Sequence, residues 1–299
     1  MSTAKIHDVR YRTYDGEVRG NSRRAIFSMA RWSALRALGA RRPWTAKVVP
    51  VGLAVIALGP AVTALGVRAL LGPQITEQLP GGIIPYAPYY QLIGFAILAY
   101  AAIVIPETIC PDRRSRLLDL YLSTALGPRD YVLGKIFASL VPLLAVTTLP
   151  LAVLYIGNMF FAVHPLGYVQ ANLREIPAIL VGGLLIALVY TLLGLAVASL
   201  TSRRAFAAVG FVLLLAVSAL IDHALSQIAK LGPNTRLLDL QNLPIWLAQK
   251  IIGGSSGSIT TGPLAPVETP SLALLIIANA VIIGVCVGVL ALRYRRSAK

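Results

Sequence analysis

Residues 107–135, ETICPDRRSRLLDLYLSTALGPRDYVLGK, form the one long charged stretch between two hydrophobic runs. Leu117, Leu120 and Tyr121 recur at helical spacing and form an apolar face, and Asp119 lies on the opposite, polar side. We therefore predict a short helix at a membrane surface, with one face for bilayer or core and the other for a partner. The alternative is a solvated amphipathic connector without a partner.

The ends of this predicted helix follow from its flanking residues. Asp112 stands just before the helical run, where a short acidic side chain can cap exposed amides. Gly127 and Pro128 are typical of a helix stop. The predicted segment therefore covers residues 111–127.

The composition predicts an integral membrane protein. Of 299 residues, 57% are hydrophobic and 13% are charged, against about 25% charged in soluble proteins. The formal charge of +15 does not indicate nucleic-acid binding, because the chain lacks runs that mix basic and aromatic residues.

Hydrophobic runs divide the chain into a basic segment, 1–47, and an all-α domain of six membrane spans, 48–299. Each run has 17 to 26 residues, which suits a bilayer crossed by about 20 helical residues. The predicted spans are 48–67, 89–106, 136–161, 178–200, 205–221 and 272–292.

The distribution of basic residues predicts the orientation of these spans. Of 27 lysines and arginines, 22 fall in the two terminal segments and in the loops after spans two and four. The positive-inside rule therefore places both termini and residues 107–135 in the cytoplasm. Arginine outnumbers lysine 21 to 6, which indicates a GC-rich bacterial source and hence the bacterial inner membrane.

Two further segments are predicted to lie at the membrane surfaces. Residues 26–38 can form an amphipathic helix with Phe27 on its apolar side, Trp32 near the edge, and Arg23 and Arg24 just before it. The alternative is a basic tail attracted to anionic lipid.

The outer region 222–271 holds an apolar stretch, 237–252, interrupted by Pro244. Its length is too short for a span, so it predicts a re-entrant or interfacial pair of half-helices. A surface loop helix is the alternative.

Catalytic and metal-binding motifs are absent from the sequence. The Gly134-Lys135 pair lacks the upstream glycine of a phosphate-binding loop, and the three histidines are scattered. We predict no catalytic site, no metal and no cofactor in this chain. The six apolar runs also contain no Asp, Glu, Lys, Arg or His, whereas ion-coupled carriers keep such residues in the membrane. We therefore expect that the bundle buries no charge and that the energy for transport comes from outside the chain.

Small and neutral polar residues occur within the spans. Gly183 with Ala187, and Gly284 with Gly288, are spaced for close helix packing within the bundle or for dimerisation. Five polar residues are candidates for a substrate path, with helix–helix hydrogen bonding as the alternative role: Gln91, Tyr100, Thr147, Asn158 and Asn279.

The charged stretch resembles the cytoplasmic signature of type-2 ABC exporter permeases. The resemblance rests on Glu107, Asp112-Arg113-Arg114, Leu117-Leu118, Leu120-Tyr121-Leu122-Ser123, Tyr131, Gly134 and Lys135. The chain departs from the pattern at Asp112, where many members have Glu, and at Ser115-Arg116, where they have glycine.

The resemblance implies a coupling helix that docks in a groove of a separate ATPase, which binds ATP and Mg²⁺. It also implies two ATPase copies, a second permease that is identical or homologous, an N-terminal interfacial helix, and a lipid-like or drug-like substrate. The residues implied in coupling are Glu107, Asp112, Arg113, Arg114, Leu117, Asp119, Leu120, Tyr121, Tyr131 and Lys135. The alternatives are a membrane scaffold that recruits a cytoplasmic protein, or a stand-alone facilitator.

Overall fold

The computed structural model describes residues 22–39, 44–72, 84–115, 127–228, 232–253, 259–260, 266–267 and 270–296. Within these residues the chain is almost entirely helical. The α-helices are α1 (Ser22–Ala37), α2 (Thr45–Leu71), α3 (Tyr86–Arg114), α4 (Pro128–Phe160), α5 (Pro165–Ala171), α6 (Glu175–Ala198), α7 (Arg204–His223), α8 (Leu243–Gly253) and α9 (Leu272–Arg296). A π-helical turn (Ala224–Ile228), a 3₁₀ helix (Pro233–Leu238) and an antiparallel pair of two-residue strands, β1 (Ile259–Thr260) and β2 (Pro266–Val267), complete the described elements.

Six of these helices are long and apolar enough to cross a membrane, in agreement with the six predicted spans. They are α2, α3, α4, α6, α7 and α9, and each covers one of the predicted apolar runs to within two residues. The helices alternate in direction, so that one end of the bundle holds the C-termini of α3, α6 and α9 and the N-termini of α2, α4 and α7. We call this end of the bundle the basic end, because most of the described basic residues lie there.

Several helices extend past the apolar runs that predicted them. Helix α3 continues through Pro106 and Pro111 to Arg114, and α4 already begins at Pro128. The extra turns bury Glu107, Asp112 and Lys135, which are 6%, 0% and 1% exposed. The expectation that the bundle buries no charge is therefore wrong. An apolar window ends at the first charged residue, but the helix continues because partners from other helices neutralise the charges.

Helices α3 and α6 form the centre of the bundle. Most of their residues are buried, whereas α2, α7 and α9 expose most of their surfaces. A Cβ atom on Gly183 would lie 2.5 Å from Cγ2 of Thr148 on α4, so the predicted close packing at this glycine is confirmed. A Cβ atom on Gly284 or Gly288 would meet nothing within 4 Å. The prediction that these two α9 glycines pack within the bundle is wrong, because their face of α9 is open.

The segment that follows α7 folds back onto the bundle through α8. Pro244 lies in the first turn of α8, where a missing backbone N–H costs no helical hydrogen bond, so it does not interrupt the helix. Leu243, Trp246 and Ala248 are fully or almost fully buried, and α8 packs against α3, α6 and α9. A helix that is buried to this extent does not match the alternative of a surface loop helix.

A polar network ties four helices together at the end opposite the basic end. Arg68, in the last turns of α2, is buried and donates to Oδ1 of Asn158 on α4 at 2.5 Å. Asn158 Nδ2 in turn donates to Tyr86 Oη on α3 at 3.1 Å, and the hydroxyls of Tyr86 and Tyr168 lie 2.5 Å apart. This network fixes α2, α3, α4 and α5 at one end of the bundle.

Candidate functional site

The residues predicted for coupling fall into three groups along the chain. Leu117, Asp119, Leu120 and Tyr121 lie outside the described residues. The four acidic and arginine residues from Glu107 to Arg114 lie in the last two turns of α3, and Tyr131 and Lys135 lie in the first two turns of α4. The described signature residues therefore sit on both sides of residues 116–126, at the basic end.

Asp112 is the centre of a buried charge cluster rather than a cap for a following helix. It lies inside α3, and both of its carboxylate oxygens are used. Arg36 Nη2 lies 2.7 Å from Oδ1, and Lys135 Nζ lies 2.6 Å from Oδ2. Tyr131 Oη donates to Oδ2 at 3.3 Å, and Lys135 Nζ donates to Ser33 Oγ at 2.8 Å. We call these five residues the Asp112 cluster.

The Asp112 cluster joins three helices. Its acid comes from α3, Lys135 and Tyr131 come from α4, and Ser33 and Arg36 come from α1. Sequence reasoning missed Ser33 and Arg36. Their spacing of three residues places them on one helical face, but Arg36 and Asp112 are 76 positions apart, so no local pattern links them.

Gly134 allows α1 to approach α4 beside this cluster. A Cβ atom there would lie 2.2 Å from Met29 Cε and 3.5 Å from the Ile26 carbonyl oxygen. The Gly134-Lys135 pair thus has two roles in holding α1: the glycine makes room for the helix, and the lysine binds Ser33.

A Gly134→Ala substitution should test this close approach. We expect a loss of about 1–3 kcal/mol in the free energy of unfolding, because overpacking displaces Met29. Adding Met29→Ala removes the clashing methyl group, so the double variant should lose less than the sum of the two single losses. Unfolding in detergent by added dodecyl sulfate, followed by circular dichroism, measures both. Purely additive losses would contradict the contact.

A second set of contacts joins the end of α3 to the turn between α6 and α7. Arg113 Nη1 donates to the carbonyl oxygens of Ser199 and Thr201, the latter at 3.1 Å. Cys110 Sγ lies 3.9 Å from the Ala198 carbonyl oxygen. Arg204, at the start of α7, pairs with Glu107 at 2.9 Å. The Arg113 side chain therefore binds within the protein, whereas the Arg114 side chain is exposed.

These contacts border an open groove of about 640 Å³ at the basic end. We call it the basic groove. Helix α3 contributes one face of its last two turns, and the start of α7 contributes the other wall. The lining residues are Glu107, Cys110, Pro111, Arg114, Ser202, Arg203, Arg204 and Ala205.

Comparison with known families decides which kind of protein carries this arrangement. A family model described as an ABC-2 family transporter protein matches residues 72–248, which is more than half of the chain. The chain belongs to this family. A search of curated proteins finds no match. The predicted resemblance to type-2 ABC permeases is thereby confirmed.

Family membership and the six apolar helices make the chain a multi-pass membrane subunit, the permease of an ABC transporter. The family implies ATPase subunits as partners. The matched residues run from the end of α2 into α8 and include Asp112, Lys135 and the basic groove. Ser33 and Arg36 lie outside the match, so the Asp112 cluster connects the matched region to the N-terminal helix.

Four of the five candidate path residues of the permease are buried and Gln91 is half-buried, and most form hydrogen bonds within the bundle. Thr147 donates to the Gly183 carbonyl oxygen at 3.1 Å, and Asn279 donates to the Leu275 carbonyl oxygen at 2.8 Å. Gln91 donates to Asn242 at 3.1 Å. Tyr100 is 3% exposed, and Asn158 belongs to the network around Arg68. The structure therefore assigns helix–helix contacts to several of them.

A helix, α1, is present where the sequence predicts an N-terminal amphipathic helix, but its packed face differs from the predicted apolar face. Met29, Ala30, Ser33 and Ala37 are buried against the bundle. Phe27 and Trp32 are 73% and 49% exposed, and Arg24 is also exposed. The side chain of Arg23 lies outside the described residues.

Within the described part of the chain, no group of three or more His, Cys, Asp or Glu residues could hold a metal ion.

Proposed function

We propose that this chain is the permease subunit of an ATP-driven exporter that carries an amphipathic, lipid-like or drug-like substrate. Two ATPase subunits would bind at the basic end and supply ATP and Mg²⁺ chemistry, and a second identical or homologous permease would complete the path. The proposed location is the bacterial inner membrane with both termini cytoplasmic. This orientation is supported by the 22 of 27 basic residues predicted for that side.

The observation that carries the proposal is the way both flanks of residues 116–126 are held. Before this segment, Asp112 and Arg113 bind partners on α1, α4 and the α6–α7 turn. After it, Tyr131 and Lys135 bind Asp112. A force applied to the segment would pass into α1, α3, α4 and the α6–α7 turn together. This arrangement suits a coupling segment that an ATPase pushes.

An external energy source also fits the placement of charge. The buried charges of the permease lie near helix ends, and Asp112, Lys135, Glu107 and Arg68 are held by ion pairs or hydrogen bonds. The apolar runs between the ends contain no Asp, Glu, Lys, Arg or His. An ion-driven carrier would need such a residue in the membrane interior.

The remaining elements have roles within the same proposal. The exposed Phe27 and Trp32 on α1 suit a helix that lies at the lipid headgroups. Helix α8 suits a re-entrant helix on the outer side, since it is short, apolar and buried against the spanning helices. A path lined by apolar and neutral polar side chains suits an amphipathic substrate.

Affinity purification of the tagged chain from its native membranes tests the proposed function. We expect a stoichiometric partner with a phosphate-binding loop, ATP hydrolysis by the complex, and no hydrolysis by the pure chain. A stoichiometric partner without a nucleotide-binding motif would support a scaffold instead. Conductance of the pure chain in liposomes without nucleotide would support a facilitator.

A further inference from the structure

The basic groove carries more positive than negative charge. Three arginines, Arg114, Arg203 and Arg204, line it together with one carboxylate, Glu107, which pairs with Arg204. Arg114 and Arg203 are exposed, and neither has a carboxylate partner within the described residues. Two guanidinium groups are thus open to an anionic ligand.

The floor of the groove is fixed by the protein itself. Arg113 and Cys110 hold the carbonyl groups of the α6–α7 turn from one side of α3. Glu107 orients Arg204 from the adjacent turn. A ligand would therefore meet arginines whose backbones are already positioned, which lowers the entropic cost of binding.

An exposed apolar surface continues from the groove toward the middle of the bundle. The Arg203 guanidinium lies 5.7 Å from the ring centroid of Phe206. Phe206 and Val209, on the same face of α7, are 63% and 56% exposed. Ile103, one turn before Glu107 on α3, is 43% exposed. The positive charge lies at the rim and the apolar side chains lie below it. This order matches a phospholipid, whose anionic headgroup lies above its hydrocarbon chains.

We propose that the basic groove binds the phosphodiester of an anionic phospholipid from the surrounding leaflet. Arg114 and Arg203 bind the phosphate oxygens, since guanidinium groups match phosphate geometry. The acyl chains lie along Ile103, Phe206 and Val209. Basic pockets between membrane helices bind anionic headgroups in this way. A docked protein segment would satisfy the arginines but would leave this apolar surface without a role.

Lipid titration of the full chain in a neutral detergent tests the proposal. Phosphatidylglycerol should bind more tightly than phosphatidylcholine, as measured by lipid-dependent thermal melting and by native mass spectrometry of bound lipid. In the Arg114→Gln/Arg203→Gln variant the apparent affinity for phosphatidylglycerol should fall roughly 25-fold, about fivefold for each arginine near an anionic surface. Affinity for phosphatidylcholine, whose phosphate charge is offset by its own quaternary ammonium group, should fall much less.

Arg129→Gln is the matched control, because Arg129 is an exposed arginine at the same end of the bundle, outside the groove. It should keep the wild-type affinity. An equal loss in this control, or an unchanged affinity in the double variant, would overturn the proposal. Full competition by inorganic phosphate would also overturn it, since the site would then bind a soluble anion. If the double variant fails to fold, Arg203→Gln alone should show the fivefold loss.

This test requires no ATPase and no transported substrate. If the chain binds the lipid but no ATPase, the groove proposal stands and the proposed function is wrong. If the chain binds an ATPase but not the lipid, the proposed function stands and the groove proposal is wrong.

Discussion

Replacing Asp112 with Asn should lower the free energy of unfolding by about 3–5 kcal/mol, the usual cost of breaking a buried ion pair. The substitution leaves Lys135, which is 1% exposed, without its counter-charge. Arg36 loses the same partner but is one-third exposed and can reach solvent. Titration of the detergent-solubilised chain with dodecyl sulfate, followed by circular dichroism, measures the loss.

Two further variants separate the buried pair from its surroundings. Asp112→Asn combined with Lys135→Met removes the uncompensated ammonium, so it should recover most of the stability. Asp130→Asn is the control, because Asp130 also belongs to this end of α4 and, among the described residues, its carboxylate accepts from the Gly127 backbone N–H, at 3.3 Å, without an ion pair. Because the amide oxygen still accepts that hydrogen bond, it should cost less than about 1 kcal/mol, from the negative charge lost at the helix N-terminus. A failure of Lys135→Met to rescue stability would show that Asp112 acts through another contact.

The sequence predicts the spanning helices well because their signal is local and long. Each apolar run marks a helix, and the predicted helix at the N-terminus is present as α1. Helix ends are predicted less well, because charged residues after an apolar run can be read as loop. Asp112 illustrates the problem: a short acid after a proline resembles a helix cap, yet its partners on α1 and α4 keep it inside α3.

The candidate site is only partly visible in the sequence for the same reason. The signature residues Glu107, Asp112, Arg113, Tyr131 and Lys135 lie within one stretch of 29 residues, and the structure places them at one end of the bundle. Their partners come from α1 and from the α6–α7 turn with the start of α7. The hydrogen bonds of Arg36, Arg113, Arg204 and Lys135 join residues that are between 72 and 102 positions apart in the chain. A pattern of spacing within one window cannot predict such pairs.

The internal role of Arg113 also changes how coupling should be tested. Charge reversal at Arg113 would break its contacts with Ser199 and Thr201, so a loss of activity could reflect damage to the fold. Arg114 is exposed but lines the basic groove. A clean test therefore uses residues of the segment 116–126 itself.

The Leu120→Asp/Tyr121→Asp variant should strongly weaken ATPase association, the second large effect that we expect. Both residues belong to the apolar face predicted for the coupling segment, and the loss of hydrophobic contacts at the centre of an interface costs 2 kcal/mol or more, a fall in affinity of about 30-fold. The amount of ATPase that copurifies with the tagged permease, and the ATP hydrolysis of that complex, are the measurements. Arg129→Gln, at an exposed arginine just after the predicted segment, is the control and should retain the partner. If the double variant inserts and folds normally yet keeps its ATPase, the force must enter the bundle elsewhere, with α1 and its contacts to the Asp112 cluster as the next route to test.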